Sequence, residues 1–184
     1  MVPVEAAASV SVAPQQLPED LLNQKSVKFE GVQRDFTWEE VKLLVAAERL
    51  DLLGRKTPEE LAYREDMAQI RKQYGSIVAF MQTVKLAAFL ADADTQYLMI
   101  PNDYPYALPE NTLHYILWSK PALTSGTVPD AEVRALFESN LDNSVGAGKY
   151  EWVWFVNPPH LQSIPEVVHG HLIVKRHGSN NLEA

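Results

Sequence analysis

The 184-residue chain has no cysteine, which excludes disulfides, thiolate zinc sites and a cysteine nucleophile, and fits a reducing compartment. Nor does it hold an apolar run near the ~18 residues that a membrane-spanning helix needs. Positive charge is also short. Sixteen Lys and Arg against 24 Asp and Glu give a formal net charge of −8, unlike a protein coated for nonspecific nucleic-acid binding, though a local basic groove stays open. No phosphate loop is present, because "VGAGK" lacks the Walker spacing and its following Ser or Thr. A G-x-S-x-G nucleophile elbow is missing too. The first twenty residues have no basic start, carry Glu5 and are broken by prolines, unlike a signal peptide. A cytoplasmic protein with no membrane contact is the expectation.

What remains is a chain of ordinary globular composition, 46% apolar and 22% charged. Its Ala/Ser/Val/Pro-biased start reads as a flexible tail over 1–28, followed by one α+β domain over 29–178 and a short flexible tail over 179–184. "TWEE" is a capping box with Thr37 as cap and Glu40 as its acid. Val41, Leu44, Val45, Leu52 and Leu53 then predict a helix reaching toward Gly54. "TPEE" repeats the signature with Thr57, Pro58 and Glu60. Tyr63, Met67, Ile70 and Tyr74 carry the second helix. Gly75 and Ser76 interrupt or kink this run, which continues with Ile77, Phe80, Met81, Val84 and Ala88 on one face.

After "ADADT" the pattern changes to short aromatic and branched runs: "QYLMI", "TLHYILWS", "KYEWVWFV" and "VVHGHLIVK". One amphipathic helix, "PDAEVRALFESNL", separates the second from the third. Helices first and an antiparallel sheet second predict an α+β fold, the N-terminal helices packed on the sheet.

The last strand spends two positions on imidazoles. Period two places Val167, His169, His171 and Ile173 on one face, the two histidines about 7 Å apart along the strand. Gly170 on the far face allows a close approach there. His114, Ile116 and Trp118 share a face of an earlier strand. The loop between the first two strands adds Asn102, Asp103 and Tyr104, and the loop before the histidine strand adds Asn157, Gln162 and Ser163. Such loops satisfy their own backbone or wall a polar pocket. His169 and His171 form a possible metal-ligand pair, but no third ligand stands at diagnostic spacing. Neither a resident metal nor a cofactor is expected.

The blocks "FTWEEVKLLVAAERLDLLGRKTPEELAYR", "IRKQYGSIVAFM", "NDYPYALPENTLHYILWSK" and "VWFVNPPHLQSIPEVVHGHLIV" resemble the fungal N-acetylglucosamine-induced protein family over about 37–174. That family, long catalogued as a domain of unknown function, includes arginine-containing cyclodipeptide synthases. The resemblance implies a fungal source and an aminoacyl-tRNA-dependent acyltransferase that takes arginyl-tRNA and a second charged tRNA and closes a cyclic dipeptide. Where such synthases carry an Asp-Asp-x-x-Glu run, this chain has Asn102-Asp103. A fainter resemblance is to histidine-triad nucleotide-binding proteins. Asn102, Pro105 and Tyr106 match their first loop, and Gln162, Ser163 and Ile164 match their Gln-Ser-Val. His169 falls near the nucleophile position and His171 on the third histidine, with one residue too many after Gln162.

The expected function is therefore a charged-tRNA-dependent transferase. The alternatives are a histidine-triad-like nucleotide hydrolase or transferase, and a non-catalytic N-acetylglucosamine-response protein. His169, His171 and Asp103 are the candidate catalytic residues. Asn102, Tyr104, His114, Lys120, Asn157, Gln162 and Ser163 are candidates for binding substrate, and Arg64, Arg71, Lys72 and Lys120 for holding tRNA phosphates.

Overall fold

A computed structural model describes residues 19, 23–27 and 30–178. Most of the expected N-terminal tail, and all of 179–184, lies outside these residues. Gln24, Ser26 and Val27 bond to the 49–51 segment, with Val27 N–H donating to the Asp51 carbonyl at 3.1 Å.

Helix α1 (Trp38–Ala46) opens on the expected capping box. Thr37 Oγ1 accepts from the Glu40 amide at 3.2 Å, and Thr37 N–H donates to Glu40 Oε2 at 2.8 Å. The Arg34 guanidinium, with help from Thr37, holds the Glu40 carboxyl at about 2. The helix stops short of Gly54, and the reason is Leu50. On a continuous helix Leu50 would face away from Val41. The chain instead turns at Glu48 (φ 54°) into a 3₁₀ turn, Leu50–Leu52, and Leu50, Leu52 and Leu53 are all buried.

Helix α2 (Thr57–Tyr74) begins with Pro58 in its first turn and ends at Gly75, whose φ of 81° suits glycine. Thr57 does not cap it: its hydroxyl donates to the Glu30 carbonyl at 3.2 Å. Glu60 is no box acid either, being buried and ion-paired.

The helical run expected to continue past Gly75 and Ser76 is broken into α3 (Ile77–Phe80), a π turn (Met81–Lys85) and α4 (Ala87–Ala91). Its buried stations are Ile77, Met81, Leu86 and Phe89, whereas Val84 and Ala88 are exposed. The five-residue step from Met81 to Leu86 is too long for one face of an α-helix. The π turn absorbs the extra residue, with Leu86 N–H bonded to the Met81 carbonyl at 2.7 Å.

Strands β1 (Tyr97–Pro101), β2 (Thr112–Ser119), β3 (Tyr150–Phe155) and β4 (His169–Arg176) form an antiparallel sheet in the order β1-β2-β4-β3. With the helices, this is the expected α+β fold. Helix α5 (Ala131–Leu141) covers one face, where Val133, Phe137 and Leu141 pack on Leu117, Trp152, Trp154, Leu172 and Val174. The other face carries two clusters. Helix α1 packs on Phe155 and Ile173, and α2–α4 pack on Ile116 and Trp118. The histidines lie on this second face. Among the described residues no helix is long and apolar enough to cross a membrane.

Candidate functional site

Register brings the histidines together. On β2 and β4, Trp118 pairs with His169, Ile116 with His171 and His114 with Ile173, and cross-strand partners share a face. His114, His169 and His171 are all buried.

His114 Nε2 lies 3.0 Å from His171 Nδ1, and His171 Nε2 lies 3.1 Å from the Asn157 side chain. Donor logic orients this chain. Tyr106 N–H donates to His114 Nδ1 at 3.3 Å, so His114 carries its proton on Nε2 and gives it to His171 Nδ1. His171 then holds a proton on Nε2, which requires the Asn157 carbonyl oxygen as acceptor. Phe155 stacks on His171 at 4.8 Å between ring centroids, and Tyr106 stacks at 5.6 Å. Burial, and then the Arg55 charge, push the His114 imidazole down to about 3. Burial also holds His171 well below the ordinary histidine value, reinforced by the neighbouring His114, His169 and Arg55. These two rings are neutral near pH 7 and spent on each other.

His169 differs. Its Nδ1–H donates to the Val167 carbonyl at 2.7 Å, which leaves Nε2 unprotonated with no hydrogen-bond partner among the described residues. Burial lowers its pKa, with the Val167 carbonyl acting in the opposite sense. Its ring sits 5.0 Å from Trp118 and 5.6 Å from His171. His169 and His171 both line a pocket of about 560 Å³ between the sheet and α2–α3.

Asn102, Asp103, Tyr104, Asn157, Gln162 and Ser163 line the same pocket. Most already have work. Asn102 faces His114 at 3.4 Å and accepts from the Tyr104 amide at 3.0 Å. Gln162 donates to the Asn157 carbonyl at 2.7 Å. The Tyr104 hydroxyl donates to Asp66 at 2.9 Å, and burial first, then Asp66, pushes its pKa up to about 12. Ser163 has no bonding partner among the described residues. Asp103 is half exposed at the mouth and ion-paired with Lys85, so it does not orient either histidine. Lys120 lies away from the pocket, bonded to the Asp92 carbonyl and set over the Phe89 ring. Lys72 does not line the pocket, whereas Arg64 and Arg71 do.

Sequence reasoning named Arg64 and Arg71 on the far wall but missed Arg55, Glu60 and Tyr63 there. Arg55 bonds Glu60 at 2.9 Å and the Tyr104 carbonyl at 3.1 Å, and lies 3.8 Å over the Tyr63 ring. Arg64 joins Glu60 at 3.2 Å. The signal was present: Glu60, Arg64 and Arg71 fall on the same stripe of α2 as Tyr63, Met67 and Ile70, so charges stand where periodicity points inward. Four cations, Arg55, Arg64, Arg71 and Lys85, face two carboxylates, Glu60 and Asp103. The excess of two positive charges, in a chain of net charge −8, draws anions to this pocket. Among the described residues no three His, Asp or Glu side chains converge as a metal site.

Residues 37–175 match the family described as protein of unknown function DUF3605. The uncharacterized protein YPL067C of Saccharomyces cerevisiae is 26% identical, covering 86% of this chain and 86% of its own. N-acetylglucosamine-induced protein 1 of Candida albicans is 23% identical, over 76% of this chain and 68% of its own. The solved crystal structure of HTC1 aligns with a TM-score of 0.52 and 25% identity, over 76% of this chain and 85% of that one.

Proposed function

The chain belongs to the DUF3605 family, and within it we propose a group-transfer enzyme that acts on a nucleotide-ended substrate, with His169 Nε2 as the nucleophile. The observation that carries this reading is the fixed tautomer of His169: a neutral imidazole with one nitrogen tied to a carbonyl and the other bare in an anion-attracting pocket. The depressed pKa favours a nucleophile over a base. A group titrating below the ordinary histidine value is a poor acceptor for a proton from an α-ammonium of pKa about 7.7–8.0. It stays unprotonated and nucleophilic throughout the neutral range.

The first substrate is the end of a charged tRNA; arginyl-tRNA, which the synthase resemblance implies, is the second charged tRNA, the donor of the attacking amine. His169 Nε2 attacks the ester carbonyl, the Ser163 hydroxyl donates to the developing oxyanion, and the ribose oxygen leaves and takes a proton from solvent. A free amine of a second aminoacyl group then displaces the imidazole. The amine of the first residue then attacks the ester carbonyl of the second, which closes the ring, breaks the remaining ester bond and releases the second ribose oxygen, protonated from the attacking amine, with the cyclic dipeptide. Arg64 and Arg71 hold terminal phosphates, whereas Lys120 and Lys72 do not line the pocket. His114, His171, Tyr106 and Asn157 fix the floor beneath the reacting atoms. The second substrate is a nucleotide phosphoramidate: the same nitrogen bonds the phosphorus, the bond to the amine breaks as the amine takes a proton from solvent, and water then cleaves the nucleotidyl-histidine to the nucleoside monophosphate.

The test gives purified protein either charged tRNAs or adenosine 5′-phosphoramidate, and measures ester loss, cyclic dipeptide and AMP. Turnover of either, lost by 10²-fold or more in His169→Ala, is the expected result. Binding without turnover in both assays overturns the proposal and leaves a binding protein of the N-acetylglucosamine response.

A further inference from the structure

The pocket has a second character beyond its charged rim. Met67, Ile77, Phe80, Met81, Ile116 and Trp118 form an apolar chamber, which Trp118 joins to His169 through their 5.0 Å ring contact. The two methionines come from different helical segments, and both are nearly buried, at 7% and 5% exposure. Unbranched thioethers adapt to varied shapes while staying apolar. Among the described residues no free carboxylate serves this space: Glu60 is held by Arg55 and Arg64, and Asp103 by Lys85.

We infer that the chamber holds a bulky, uncharged apolar group of the ligand, aromatic or branched aliphatic, beside His169. The inference rests on the reading that a ligand reacts at that nitrogen, and it names the chemical class of the group placed there. A guanidinium or ammonium would lose its hydration without gaining an acceptor, and would meet the positive excess of the rim. An apolar group gains by leaving water, in proportion to its buried surface. In an aminoacyl substrate, the side chain next to the reacting carbonyl is thus apolar, and an arginyl side chain binds outside the chamber.

Only four methionines occur in the chain, so ¹³C-methyl labelling gives a simple spectrum. Indole and N-ethylguanidinium are titrated separately into the full-length protein. Indole is expected to give saturable shifts of the Met67 and Met81 methyls, at concentrations at least tenfold below any effect of N-ethylguanidinium. Met99, on the α5 face of the sheet, stays unmoved and reports an intact fold. Met81→Trp, which fills the chamber, abolishes the Met67 response to indole. Equal responses to the two probes, a stronger response to the cation, or no saturable shift with indole overturns the inference. Neither probe is turned over and neither carries phosphate, so failure of the His169 chemistry and failure of the chamber are read separately.

Discussion

The two faces of one sheet differ in what they do with their space. On the α5 face, Val133, Phe137 and Leu141 fill the gap against Leu117, Trp154 and Leu172, and all six are at or below 1% exposure. On the other face, the helices leave a pocket of about 560 Å³ lined by histidines. β2 and β4 carry both, because alternation sends each neighbour to the opposite side. A filled face gives up nothing to function. The open face accepts buried imidazoles and ion pairs, which cost stability.

The largest effect that tests this contrast is Phe137→Ala. It should cost about 3–5 kcal/mol in urea unfolding, whereas His169→Ala, at the edge of existing empty space, should cost below about 1.5 kcal/mol. Comparable losses would erase the distinction between the faces.

Gly170 comes next. A Cβ there would meet the Trp154 ring at 2.2 Å, so the far face demands glycine between the two histidines. Gly170→Ala should cost about 1–3 kcal/mol through overpacking. A near-neutral result would show that the indole moves freely.

Acid should act through the open face. His114 is held at about 3 and His171 well below its ordinary value, so the unfolded chain binds protons that the folded one refuses. Their contribution to stability is complete above the unfolded value near 6.5 and is lost as pH falls toward their folded values, at up to about 1.4 kcal/mol per pH unit for each histidine. Chemical denaturation between pH 6.5 and 4.5 measures this slope, and His114→Phe should lower it by one histidine's share. An unchanged slope would place the acid sensitivity elsewhere.

The smallest effect belongs to the rim. Arg71→Glu should leave stability within about 0.5 kcal/mol, yet weaken AMP binding severalfold at low salt, a difference that shrinks as salt rises. Unaltered binding would remove Arg71 from the anion site.

Much of this contrast was legible in the sequence. Alternation put His169 and His171 on one side, and helical spacing put Val133, Leu136, Phe137 and Leu141 on the inner face of α5. Antiparallel pairing then needed only the four runs and their turns. The pocket's second wall was hidden, because a helical stripe that faces a cavity has the same period as one that faces a core. Tyr63, Met67 and Ile70 therefore read as packing. Glu60 read as a capping acid because its partner Arg55 precedes the helix and meets it only in three dimensions. The break in α1 and the π turn follow from where Leu50 and Leu86 must point, which depends on the sheet beneath them. Lys120 sits at the end of β2 near the pocket in sequence, but its side chain turns to the Asp92 carbonyl.

The central claim is that His169 presents a bare Nε2 to the pocket, and ¹⁵N spectra of its imidazole test it without any substrate. The account predicts a neutral ring at pH 7 with the proton on Nδ1 and an unprotonated Nε2 whose resonance shifts when AMP is added. A proton on Nε2, or a charged ring at pH 7, would contradict it.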